Sequence, residues 1–176
     1  MGYCKKRELI KPKHTSDDCV CDVVRKIVEA QDEVQDDCTT SCNRSIQQLR
    51  GKELDPLNTT IPFILYCSGT CEPFVGSGVF QAATDRGNFF GCVETPVFRA
   101  TQFVNDSDCC VKLELLLPAC DGCEVKPCNT DNVGNVCKFF PEDKPVTDFI
   151  ASGVCLTVDL NHFAGITCLD PINPML

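Results

Sequence analysis

The 176-residue sequence has no tryptophan, two tyrosines, two methionines and two histidines. The histidines, His14 and His162, lie far apart, so no Cys–His nucleophile pair is written locally into the chain. No apolar run approaches the ~18 residues that a membrane-crossing helix requires, and no membrane partner is expected. Residues 1–14 carry Lys5, Lys6, Arg7, Lys11 and Lys13 around one short apolar pair, Leu9-Ile10. That is not the apolar stretch of a secretory signal peptide, so synthesis in a reducing cytoplasm is the expectation. Also missing are G-x-G-x-x-G, the P-loop, G-x-S-x-G and the EF-hand loop, which removes the locally legible nucleotide, hydrolase and calcium sites. Positive charge is scarce: 16 Lys and Arg against 25 Asp and Glu leave a net charge of -9. The only basic run is the N-terminal arm, which reads as a solvated tail, and the body is not expected to bind nucleic acid.

What the chain has in excess is cysteine, 16 residues. At 176 residues it is long enough to bury a full apolar core. Its thiol density is nevertheless that of small disulfide-stapled secreted scaffolds. Core scarcity cannot explain the thiols, and two explanations fit. Either they bind metal, or the protein meets oxidising conditions without crossing a membrane, as when the cell that made it lyses.

The clearest structural signal is the stretch 96–117, read as strands 97–104 and 109–117 joined by Asn105-Asp106-Ser107-Asp108. Strand alternation puts Cys109, Val111, Leu113, Leu115 and Leu117 on a core face, and Cys110, Lys112 and Glu114 on a water face. Upstream, Ser16-Asp17-Asp18 supplies N-cap oxygens, and Val20, Val23, Val24, Ile27, Val28 and Val34 recur at helical spacing, predicting one amphipathic helix over 19–37. A short helical turn is expected around 45–50 and strands at 61–67 and 71–75. Residues 76–91 read as loop with a short strand at Val79-Phe80, and 118–145 as a long irregular surface loop. A last strand, 153–160, turns Val154, Leu156, Val158 and Leu160 inward and Cys155, Thr157 and Asp159 outward. The fold class is α+β, mainly an antiparallel β sheet or sandwich with one N-terminal amphipathic helix. The expected divisions are a basic arm (1–18), one cysteine-rich domain (19–169) and a C-terminal tail (170–176).

Three chemistries compete for the thiols. A zinc module would use Cys120, Cys123, Cys128 and Cys137, but Cys120-x-x-Cys123 is the one CxxC and its partners follow at irregular spacing. A redox CxxC normally opens a helix that lowers the attacking thiol's pKa, and no helix is predicted here. The third reading assigns outward and flexible thiols to crosslinks between copies. Those thiols are Cys4, Cys110, Cys155 and the cysteines of 120–137; the full set of candidate crosslink cysteines, with bridges within a chain and between chains both open, is Cys4, Cys19, Cys21, Cys38, Cys42, Cys110, Cys120, Cys123, Cys128, Cys137 and Cys155. The remaining thiols can be small buried apolar side chains. No catalytic, metal or cofactor residue is assigned.

Five blocks carry a resemblance: Cys19-Val20-Cys21-Asp22-Val23-Val24, Ile61-Pro62-Phe63-Ile64-Leu65-Tyr66, Pro96-Val97-Phe98-Arg99, Cys109-Cys110-Val111-Lys112-Leu113-Glu114-Leu115-Leu116, and Cys155-Leu156-Thr157-Val158-Asp159-Leu160 through Cys168-Leu169. In this order they resemble the spore coat protein Y/Z family, which includes an exosporium protein. The resemblance implies a non-enzymatic shell protein of the bacterial endospore, made in the mother cell without a signal peptide. It implies self-assembly into a two-dimensional, hexamer-based layer stiffened by disulfides, with itself and other coat or exosporium proteins as partners and no cofactor. Mother-cell lysis would supply the oxidising conditions. The chain departs from the family at His162 and Ala164, where cysteines are usual.

Overall fold

The structure is a computed structural model that describes residues 24, 40–51, 57–104, 109–128 and 136–176. The basic arm and, apart from the helical Val24, the helix expected over 19–37 lie outside the described residues. The rest belong to one compact unit, Thr40–Leu176.

The unit opens with helix α1 (Cys42–Gly51). Ser41 starts it: its hydroxyl accepts the Arg44 N–H at 3.2 Å and its carbonyl accepts the Ser45 N–H at 2.9 Å. Eight strands follow: β1 (Phe63–Cys67), β2 (Gly76–Thr84), β3 (Gly87–Thr95), β4 (Phe98–Phe103), β5 (Cys110–Cys120), β6 (Cys123–Glu124), β7 (Asp148–Asp159) and β8 (Phe163–Cys168). All their pairings are antiparallel.

β5 is the centre. Residues 111–114 pair with β4 and with β7 at once, so β5 is flanked on both edges. Beyond β4 the sheet continues through β1 to β8, and β6 extends the β4 side at the far end of β5. The alternation expected for 109–117 is what positions the core: Val111, Leu113, Leu115 and Leu117 join Phe98, Leu65 and Val93 in one cluster, with Val154, Leu156, Val158 and Leu160 of the last strand and its extension packed against it. Phe74 stacks on Phe98 with ring centroids 5.5 Å apart.

The other face of β5 departs from the expected water face. Leu116 is buried with Ile64, Val97 and Phe149 in a second cluster, and Glu114 is itself only 6% exposed. The Glu114 carboxylate accepts from Arg99 Nε at 2.6 Å and from the Gly153 N–H at 2.9 Å. Gly153, at φ 71°, sits where the β5–β7 register slips between Glu114 and Leu116. A bulge frees a backbone donor and bends the strand; here the carboxylate takes that donor. Alternation assigns Glu114 to the second face correctly but does not reveal what covers that face.

The loop expected at 76–91 is a nine-residue β ribbon, β2–β3, paired from Gly76↔Thr95 to Thr84↔Gly87. Its glycines answer to space. A Cβ on Gly78 would lie 2.4 Å from Val154 Cγ1, one on Gly76 2.6 Å from the Phe98 ring, and one on Gly91 2.3 Å from the Phe80 ring. The ribbon therefore lies down on the core face of the sheet, with Val93 and Phe80 in the first cluster. A corner at Pro96 leads it into β4. The Thr95 hydroxyl donates to the Leu116 carbonyl at 2.8 Å and accepts the Val97 N–H at 3.2 Å, so the buried corner carries satisfied polar groups.

Three further expectations change. β5 runs on to Cys120 and reverses through a two-residue turn into β6, so 118–145 is not wholly irregular. β7 begins at Asp148, five residues before the expected strand, and β8 is a strand the sequence reading left out. The C-terminal segment lies along the body: Thr60 and Ile172 exchange backbone hydrogen bonds of 3.0 and 2.8 Å, and the Met175 N–H donates to Phe149 O at 2.9 Å. No helix among the described residues is long and apolar enough to cross a membrane.

Because Glu114 is buried and holds two donors, removing its carboxylate leaves a guanidinium and a bulge N–H without their acceptor. Glu114→Ala should cost about 2–4 kcal/mol of stability, read as a lower denaturant midpoint at unchanged slope. A change under about 0.5 kcal/mol would show that the carboxylate does not brace the sheet.

Candidate crosslinking surface

Cys42 at the start of α1 and Cys168 at the end of β8 form a disulfide with Cα atoms 4.8 Å apart. Cys42 is one of the candidate crosslink cysteines, and its bridge lies within the chain. The reason is docking. β8 pairs with β1 through Phe63↔Cys168, and the helix start meets that sheet edge. The two cysteines are 126 residues apart, a separation no local pattern could reveal.

Of the other candidates, Cys4, Cys19, Cys21 and Cys38 lie outside the described residues. Cys110 opens β5 opposite Asp159, half-buried, and its carbonyl accepts the Val104 N–H at 2.9 Å. Cys155 is exposed on β7, paired with Glu114, as its outward place in the alternation predicts. Cys120 and Cys123 face each other across the β5–β6 turn. Cys128 and Cys137 belong to the next segment, where the Cys128 N–H donates to Lys138 O at 2.8 Å and the buried Phe139 anchors the turn. Among the described residues no three His, Cys, Asp or Glu side chains gather as a metal site would need. The zinc alternative thus lacks an assembled ligand set: its four thiols split between a sheet end and a turn held by Phe139.

Three thiols outside the candidate set carry no disulfide among the described residues. Cys67 ends β1, and its carbonyl accepts the Cys71 N–H at 2.9 Å. Cys71 is exposed, with φ 57°. Cys92 is exposed in the middle of the ribbon opposite Val79. The alternation Phe89, Gly91, Val93 against Phe90, Cys92, Glu94 would have marked Cys92 as outward had the stretch been read as a strand. Around it stand Val79, 65% exposed, and Phe90, 74% exposed, two apolar side chains turned to solvent.

Cys92 and Cys155 point in opposite directions. Val93 and Phe80 of the ribbon share a cluster with Leu113, Leu115, Val154 and Leu156 of the sheet, so alternation places Cys92 on the far side of the ribbon. The same alternation puts Cys155 on the opposite face of the sheet. The two-layer body carries a reachable thiol on each outer side.

The shallow groove between α1 and the sheet edge, about 320 Å³, is lined by Ile46, Leu49, Ile61 and Phe63 with Arg99 as its one charged group. His162 is exposed, next to the β1 turn, with its carbonyl accepting the Ser68 N–H at 2.9 Å.

These features describe a cysteine-rich β protein with one disulfide among its described residues and further thiols on its outside. The chain belongs to the Spore coat protein Z family, whose model matches residues 4–171. A relative, Spore coat protein Z of Bacillus subtilis (strain 168), is 28% identical over 153 residues, which cover 87% of this chain and 89% of that protein. No solved structure matches. The resemblance carried by the five sequence blocks is borne out, and two of those blocks supply β4 and β5, the middle of the sheet.

The Cys42–Cys168 bridge closes most of the compact unit into one loop. For a loop of this size the chain-entropy account gives about 5 kcal/mol, and measured bridges more often give about 2–4. The double variant Cys42→Ser/Cys168→Ser should therefore lose about 2–5 kcal/mol relative to oxidised wild type in denaturant melts without reductant. Equal stability of variant and oxidised wild type would remove the bridge from the account of the fold.

Proposed function

We propose that this chain is a non-enzymatic structural protein of the spore's outer layers, where copies of it assemble into a two-dimensional sheet and are then locked by disulfides. Family membership and the name of the Bacillus subtilis relative support the coat role. The observation that carries the assembly reading is the opposed placement of Cys92 and Cys155. A subunit reactive on one side can only pair off. One reactive on two opposed sides can be joined onward, and contacts that do not close on themselves are what extended arrays require.

The ribbon's outer face is the contact this reading assigns to a second copy. Phe90 and Val79 supply apolar area, and Cys92 stands between copies once they meet. Noncovalent contact comes first and sets the geometry; oxidation then converts a reversible array into one that persists, because a layer of bridged neighbours comes apart only as fast as its bonds are reduced. The acidic net charge of -9 opposes association of identical subunits at low salt. Early assembly should accordingly be favoured by salt.

Purified protein should form large particles visible by light scattering and negative-stain microscopy, and reductant should loosen them. Phe90→Glu should raise the concentration needed for assembly about tenfold or more, while Cys92→Ser should assemble normally yet dissolve more readily when oxidised layers are diluted. A wild-type protein that remains monomeric at high concentration, with and without oxidant, would overturn the proposal.

A further inference from the structure

Cys120-Asp121-Gly122-Cys123 forms a two-residue hairpin turn. Asp121 has φ 50° and Gly122 φ 77°, the two left-handed residues that a type I′ turn needs. The cysteines flanking it are direct cross-strand partners, so both side chains lie on one face. Two positions further along, the Val125 N–H donates to Pro118 O at 2.8 Å. Hydrogen-bonded and non-bonded pairs alternate along an antiparallel ladder, which makes Cys120 and Cys123 a hydrogen-bonded pair with Cα atoms about 5.5 Å apart. That separation lies inside the range a disulfide spans, but the Cβ atoms, about 5.5 Å apart in such a pair, must draw in to about 4 Å. The bond can form, and it forms against the ladder's own spacing. Strained, accessible disulfides are the exchange-labile ones.

We infer that Cys120 and Cys123 are a dithiol–disulfide couple within the chain, closed by low-molecular-weight disulfides and opened by protein thiols, rather than two separate rivets between copies. Each sulfur has the other held on the same face by the turn, whereas a neighbouring copy must first be brought there. Intramolecular closure outruns bridging for that reason. Cys123 is exposed and Cys120 half-buried, which sets the order of events. The Cys123 thiolate attacks a low-molecular-weight disulfide RSSR, forming a Cys123–SR bond and releasing one RS⁻. The Cys120 thiolate then attacks the Cys123 sulfur, forming the Cys120–Cys123 bond and releasing the second RS⁻. The couple loses two electrons and two protons, and RSSR leaves as two RSH. In the opening direction a protein thiolate attacks the Cys123 sulfur and frees Cys120. A second protein thiol then displaces Cys123, leaving a protein disulfide and the restored dithiol. The turn would hand oxidising equivalents from small disulfides to the slower bonds between chains.

The test equilibrates the full-length protein in glutathione buffers of graded ratio, traps thiols by alkylation and maps peptides without reduction. Wild type should show a Cys120–Cys123 bond within one peptide, half-reduced at a [GSH]²/[GSSG] value at least about tenfold lower than the one that half-reduces Cys42–Cys168. Cys120→Ser should trap Cys123 as its glutathione adduct. Cys123→Ser should take up glutathione at Cys120 several-fold more slowly. Wild type carrying stable glutathione adducts at Cys123, interchain bridges at either residue in excess of the intrapeptide bond, or a midpoint equal to that of Cys42–Cys168 would each overturn the inference. The readout is the same for dispersed and assembled protein, so a failure to form layers would leave it standing.

Discussion

A single buried carboxylate ties the three middle strands of the sheet together. Glu114 on β5 holds Arg99 on β4 and the bulge N–H of Gly153 on β7, two donors from two directions. A charge in that position is tolerable only while it is paired and hydrogen-bonded. The dependence runs both ways: the bulge gives the carboxylate its partner, and the carboxylate gives the bulge an acceptor. From there the architecture follows. The register slip lets β7 continue along β5 to Phe149 and Asp148, the first apolar cluster forms on one face and the second on the other, and the glycine-lined ribbon settles over the first.

Much of this architecture is legible in the sequence. The β4–β5 hairpin and the inward set Val154, Leu156, Val158 and Leu160 came from strict alternation, the most robust strand signal. The short helix near 45–50 is present as α1. What escaped has identifiable causes. Glycines at 76, 78 and 91 look like loop residues in a sequence, yet here they admit rings and a valine that any larger side chain would displace. The Asp-Gly of the β5–β6 turn is a hairpin signal, but β6 is too short and the flanking prolines and cysteines too irregular to show alternating strands beside it. Glu114 sat on a face that alternation could label polar but not cover, since its partners come from strands 15 and 39 positions away.

The thiols divide along the same line. Exposure of Cys155 follows from local alternation, whereas the Cys42–Cys168 bond depends on which helix end meets which strand end and is invisible without the fold. Cys92 was lost with the ribbon that carries it. Together these positions separate two jobs for sulfur in one molecule: a bond that finishes the subunit, and exposed groups that the finished subunit presents on opposite sides. The apolar clusters hold the subunit's form on their own face-to-face packing, so the outward thiols are spared from structural duty.

The bond between Cys42 and Cys168 also has a topological consequence. It turns the backbone from the first residue of α1 to the last of β8 into a covalent ring. A peptidase that severs one peptide bond anywhere on that ring opens the circle without releasing a fragment. Two cuts are needed before any piece can drift away, so the body can be scarred by degradative enzymes and remain a single connected molecule for as long as the sulfur bond survives.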